Sequence, residues 1–175
     1  AVTVFIEEEY HRFLFGDDYS RLDSVLTFLA PGGGTFASDE RVNSLPIEPD
    51  GFNDCNELIT GVTYVKAPEF VRMIELLMGK EKFTKGLDLY HRRYKHGNAS
   101  RAQWVEAMED ASGLDFQRMA QAWLKQSSYP KIQVKSSYKN RQLTLELEQK
   151  GFKDGMHWEF PFLVALVDKE GQEIE

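Results

Sequence analysis

Apolar positions recur at helical spacing over most of the first 125 residues. In residues 3–15, Phe5, Ile6, Glu9 and Phe13 give a mixed helical pattern, which Gly16, Asp17 and Asp18 break. A second helix is predicted from about Tyr19 to Leu29, with Leu22, Val25, Leu26 and Leu29 on one face. Residues 30–61 read as a long irregular stretch punctuated by Pro31, Gly32, Gly33, Gly34, Pro46, Pro49, Gly51 and Gly61. Runs of that length inside a compact domain are unusual and are often functional. Residues 62–73 then read as a strand or loop end feeding directly into a helix. Pro68 suits the first helical turn, where a missing N–H costs nothing, and Glu69 sets a negative charge at the positive end of the helix dipole. Phe70, Met73, Ile74 and Leu77 form the apolar stripe, so Tyr64 stands just ahead of a well-signalled helix start.

Gly79 interrupts the pattern, and Phe83, Leu87, Tyr90 and Tyr94 carry it on until Gly97. Ser100 and Gln103 make a capping box ahead of a buried face of Trp104, Ala107, Met108 and Ala111, and Gly113 ends that helix. Asp115 can cap the next one, whose stripe is Phe116, Met119, Ala120, Trp123 and Leu124, and Pro130 closes it. Beyond Pro130 the apolar period shortens to two. Ile132 and Val134 alternate with polar neighbours, as do Leu143, Leu145 and Leu147, and residues 139–141 form the turn of a hairpin. Trp158 to Val167 is predicted as a third strand, with a further turn from Asp168 to Gly171. The fold class is α+β: helices over 1–129, then an antiparallel sheet over 130–175 that looks cut off.

Composition narrows the function. The chain has 175 residues, 42% hydrophobic and 28% charged, with a net charge of −7. An acidic balance of that size argues against a nucleic-acid or anionic-membrane surface. No apolar run approaches transmembrane length. Cys55 is the single cysteine, which excludes a disulfide framework within the chain and suits a reducing, cytoplasmic location.

Candidate chemistry is sparse. Gly32, Gly33 and Gly34 lack the Gly-Lys-Ser/Thr of a phosphate loop. Glu7 and His11 stand four apart and could share a metal, but two such ligands make a poor site and a solvated helix face is the better account. His91 and His96, among Arg92, Arg93 and Lys95, make a basic helix end. Glu106, Glu109 and Asp110 decorate an outer face, and Met73, Met78, Met108 and Met119 read as core filler. Residue types and spacing alone yield no complete catalytic constellation and no metal site.

Two stretches carry a family resemblance. Tyr64, Val65, Lys66, Ala67, Pro68, Glu69, Phe70, Val71, Arg72, Met73 and Ile74 resemble the Tyr-Glu-Lys-Gly-Ala-Glu-Val-Ile-Arg-Met segment of zinc aminopeptidases of the aminopeptidase N family, and the likeness continues through Leu77, Gly79, Phe83, Gly86, Leu87 and Tyr90. Ala107, Met108, Glu109, Asp110, Ala111 and Ser112 resemble a helix of the bacterial aminopeptidase N enzymes, with Phe116, Trp123, Tyr129 and Pro130 following in order. Thr3, Val4 and Phe5 look like the Leu-Thr-Val-Phe after the family's third zinc ligand, and Phe160 to Gly171 resembles an early strand pair of the β domain.

The resemblance implies the α-helical C-terminal part of a thermolysin-like catalytic domain followed by the start of a β-sandwich. It implies a parent that hydrolyses N-terminal residues from peptides, with zinc held by upstream His-Glu-x-x-His and glutamate ligands and none in this fragment, which alone would be inactive. It gives Tyr64 the role of hydrogen-bond donor to the oxyanion of the tetrahedral intermediate. The chain departs from the family at Val65, where glutamate is usual, and at Ala67-Pro68, where Gly-Ala is usual. Leu45 to Pro49 resembles His-Pro-x-Arg-Pro with the histidine replaced by Leu45 and the arginine by Glu48. These departures keep open an alternative, a non-catalytic homologue acting as a protein-interaction scaffold.

Overall fold

A computed structural model describes residues 1–150 and 156–174. Seven α-helices come first: α1 (Val2–Phe15), α2 (Asp17–Leu29), α3 (Thr35–Asp39), α4 (Ala67–Met78), α5 (Lys80–Tyr94), α6 (Arg101–Ser112) and α7 (Gln117–Lys125). Strands β1 (Lys131–Lys139), β2 (Gln142–Lys150), β3 (Leu166–Val167) and β4 (Glu173–Ile174) follow. The order of helices then antiparallel strands is as the change of period predicts.

Local chemistry accounts for both ends of α6 and the start of α7. Ser100 and Gln103 bond reciprocally at the start of α6, and Gly113 ends that helix in the left-handed region at φ 76°. Asp115 accepts from the Gln117 N–H at 2.9 Å, and Glu109 of the supposed outer face accepts from the Phe116 N–H at 2.8 Å. That carboxylate is thus a capping group for α7. The helical stripes meet in one core, where Phe5, Phe70, Ile74, Phe83, Trp104 and Met108 are buried together.

Several expectations need correction. Residues 30–61 are not wholly irregular, since they hold α3 and a 3₁₀ turn at Cys55–Leu58. The turn into α3 depends on Gly34, where a β-carbon would lie 2.6 Å from the Phe28 carbonyl oxygen and 2.8 Å from the Ala30 N and O atoms. Composition cannot distinguish such a packing glycine from a flexible one.

The α2 helix begins at Asp17 rather than Tyr19, with Asp17 and Asp18 in its first turn beside the N-terminal dipole. The face expected to be buried is largely open: Leu22, Leu26 and Leu29 are exposed, while Ser20 and Phe28 are buried. Phe28 stacks with Phe36 of α3, which in turn stacks on Tyr129 at 4.1 Å. Leu77 of the α4 stripe is half-exposed, and Val71 and Met78 are buried.

The third strand does not form as predicted. Residues 158–165 join no ladder, and within this stretch only Leu166–Val167 pairs, with Glu173–Ile174. The side chain of Gln149 stands in for a ladder at Trp158, accepting from its N–H at 2.7 Å and donating to its carbonyl at 2.9 Å. Trp158 packs against Trp123 of α7 at 5.0 Å, and the Trp123 indole N–H donates to the Glu159 carbonyl at 2.7 Å. The segment is therefore held to α7 through Trp123 and to β2 through one side chain, without extending the ladder. The β1–β2 hairpin itself follows expectation, turning through Asn140 and Arg141, both at positive φ (51° and 62°), as a two-residue hairpin of matching twist requires. Among the described residues no helix is long and apolar enough to cross a membrane.

Gly34→Ala is expected to destabilise the chain by about 1–3 kcal/mol, because the added methyl meets backbone atoms that have no rotamer to yield. Gly33, with open space around a notional β-carbon, is the control. Urea titration of both variants checks this; equal midpoints would refute the role given to Gly34.

Candidate active site

Tyr64 lies at the centre of a π-helical turn, Val62–Lys66, that runs unbroken into α4. This corrects the expected strand or loop end, and Pro68 explains the difference. Pro68 has no N–H for the carbonyl four residues back, which belongs to Tyr64, and its ring crowds that carbonyl. The wider π spacing aligns a carbonyl with the residue five ahead, which for Tyr64 is Glu69.

The two ends of the turn are held. Val62 is buried, and the Thr63 hydroxyl donates to the Leu58 carbonyl at 2.7 Å. At the other end Lys66 is buried. Its ammonium donates to Asp39 Oδ2 at 2.8 Å, to the Gln126 carbonyl at 3.0 Å and to the Ser128 carbonyl at 2.7 Å. It also stands 4.9 Å from the Trp158 ring centroid, a cation–π geometry. Ser128 takes a left-handed φ of 76° beside these carbonyls. Between the held ends, Tyr64 is 53% exposed. Its hydroxyl has no hydrogen-bond partner among the described residues. A packing role calls for a buried ring with its hydroxyl bonded to backbone, and neither is present.

Val65, the next residue, lines a cleft of about 510 Å³ between α1, α2 and the start of α4. Glu69 is clamped there by Arg21 at 2.6 Å and Arg72 at 3.0 Å. Glu8 shares the cleft without an arginine clamp of its own. Burial pushes its carboxyl up to about 7, and the Glu69 charge adds to the effect, while Arg21 and Arg72 oppose it.

Several other candidates find structural partners. His11 bonds through Nδ1 to Ser20 Oγ at 2.9 Å and packs its ring 4.5 Å from Phe15, which ties α1 to α2. Asp110 pairs with Arg93 at 2.7 Å, and His91 Nδ1 bonds to the Leu87 carbonyl at 2.8 Å. Glu48 accepts from Arg101 at 2.7 Å, with Lys125 at 3.8 Å, while its N–H donates to the Leu124 carbonyl. The charge reversal at Glu48 therefore has its own local cations. Among the described residues no three His, Cys, Asp or Glu side chains come together to hold a metal ion.

The motifs of the sequence do not single out Lys66, Asp39 or Glu8. A signal for Lys66 was available, since it stands four residues before Phe70 on the line of the buried stripe. Asp39 and Glu8 had none beyond being acidic.

A family model described as the peptidase family M1 domain matches residues 24–123. The chain is 34% identical to aminopeptidase N of Escherichia coli (strain K12), over 99% of this chain and 20% of that protein. It is 31% identical to tricorn protease-interacting factor F2 of Thermoplasma acidophilum, over 82% of this chain and 20% of that one. Its fold is similar to a crystal structure of Legionella pneumophila aminopeptidase A in complex with aspartic acid, with a TM-score of 0.81 at 24% identity, covering 99% of this chain and 18% of that one. The chain spans about a fifth of the length of the curated relatives it matches.

The Glu8 environment predicts a pH signature. A carboxyl raised from 4.5 to about 7 on folding adds stability that is fully present below pH 4.5 and is lost as pH rises through 7. Glu8→Gln, which mimics the protonated form, is expected to leave Tm unchanged near pH 4.5 and to raise it above pH 7. Thermal melts at the two pH values check this, and the same Tm difference at both would refute it.

Proposed function

The chain belongs to the peptidase family M1, and from that premise we propose that it is part of a longer zinc aminopeptidase in which Tyr64 donates a hydrogen bond to the reacting carbonyl oxygen. The observation that carries the reading is an exposed phenol with no partner among the described residues, on a turn held at both ends. When a peptide carbonyl becomes tetrahedral its oxygen gains negative charge. A donor already aimed at that position stabilises the transition state more than the ground state and needs no reorganisation during the reaction. The flanking Thr63 and Lys66 contacts supply the fixed aim.

The zinc ligands are read, from the family resemblance, as lying outside this chain. The activity is accordingly assigned to the longer protein, acting on the N-terminal residues of peptides, and this chain alone is proposed to be inactive. Residues 1–129 are read as the helical part of the catalytic domain and 130–175 as the beginning of a β-sandwich. A cytoplasmic location belongs to the same reading and rests on the lone Cys55. The scaffold alternative draws on the departures at Leu45, Glu48, Val65 and Ala67. Glu48 counts for little there, because Arg101 and Lys125 account for its charge.

In the longer protein, Tyr64→Phe is expected to lower kcat by about 10² to 10³ while KM stays within about two-fold, the pattern of an interaction made in the transition state. Steady-state hydrolysis of an amino-acid p-nitroanilide checks this. An unchanged kcat would sink the oxyanion role, and an absence of turnover in the unsubstituted protein would favour the scaffold.

A further inference from the structure

Building on the oxyanion reading of Tyr64, we propose that Lys66 is a positioning residue, which sets the aim of the Tyr64 phenol through its ion pair with Asp39 and its bonds to the Gln126 and Ser128 carbonyls. The π turn is poorly self-supporting. Pro68 denies the Tyr64 carbonyl its α-helical donor, and π spacing persists mainly where the surroundings impose it. The tyrosine side chain is half-exposed and makes no hydrogen bond, ion pair or ring contact among the described residues. Its position is therefore inherited from the backbone on either side.

Lys66 is the stronger of the two anchors. An ammonium carries three protons, and among the described residues it bonds oxygens from two parts of the fold: the carboxylate at the end of α3, and two carbonyls just past the end of α7. Acceptors on separate elements fix the nitrogen in more than one direction, where an apolar side chain of the same length would slide. The 6% exposure of the Lys66 side chain and 2% of Asp39 remove water as a competitor, so the geometry is held against a low-dielectric background. Two residues of π-helical backbone carry that constraint to Tyr64.

The test is a double-substitution cycle in the longer protein, with kcat measured per folded molecule on an amino-acid p-nitroanilide. Lys66→Met is expected to lower kcat by about 10- to 100-fold, the cost of a displacement near 1 Å, with KM changed less than about two-fold. The same substitution on a Tyr64→Phe background is expected to lower kcat no further, because there is no hydroxyl left to aim. A purely structural lysine would slow both backgrounds equally, and that additive result, or an unchanged kcat in Lys66→Met, overturns the proposal while leaving the Tyr64 reading intact. An unchanged kcat in Tyr64→Phe overturns both. Asp39→Asn, which keeps an acceptor and removes the charge, carries the cycle if Lys66→Met does not fold. If neither variant folds, the pair is a folding element and the positioning role is refuted.

Discussion

One buried ammonium joins the π turn, the end of α3 and the segment that follows α7. Lys66 leaves the π turn, meets Asp39 at the end of α3, reaches the carbonyls that follow α7, and lies by the ring of Trp158 from the strand region. Taking a lysine and an aspartate out of water costs several kcal/mol per ion before their attraction is counted. The cost is offset only when the pair is close and the remaining protons find acceptors, which is what the two carbonyls provide. Such a group tolerates little displacement. Segments 27 and 62 residues away in sequence are held to one register around it.

The helical core tolerates more. Phe5, Phe70, Ile74, Phe83, Trp104 and Met108 bury apolar surface without demanding particular angles, and neighbouring side chains can adjust within the packed volume. The α1 and α2 helices lie at the edge of that core. Phe13 is 82% exposed, and Leu22, Leu26 and Leu29 face outward, so amphipathic spacing there does not coincide with burial in this chain. The segment after the hairpin is tied to α7 through Trp123 and to β2 through the Gln149 side chain, and among the described residues the two antiparallel pairs do not join.

These constraints divide the candidate site into a rigid and an open part. The rigid part is the turn from Val62 to Lys66, closed by Pro68 on one side and by Thr63 and Leu58 on the other. The open part is the phenol of Tyr64 and the cleft beside Val65, where Glu69 is neutralised by two arginines and Glu8 is left in a desolvated, anionic neighbourhood. Similarity to the M1 aminopeptidases is spread across nearly the whole chain and does not depend on the Tyr64 segment alone.

Helix spacing, the capping box at Ser100, the glycine stop at Gly113, and the switch to period two after Pro130 were all legible in the sequence. Each is a local property: a side chain's neighbours three or four residues away, or one residue's permitted φ, are already written in the chain. The aromatic ahead of α4 was legible too, as was the family segment around it. The π turn was not, because it arises where Pro68's steric demand meets an anchor supplied from elsewhere. The partners of Lys66 were out of reach for a stronger reason. Among the described residues these include two backbone carbonyls, which every residue has and no residue type announces, and an aspartate in a stretch with no periodicity. The open face of α2 and the divided sheet follow the same rule. Periodicity reports which side of an element could be buried, and only the tertiary arrangement decides what, if anything, covers it.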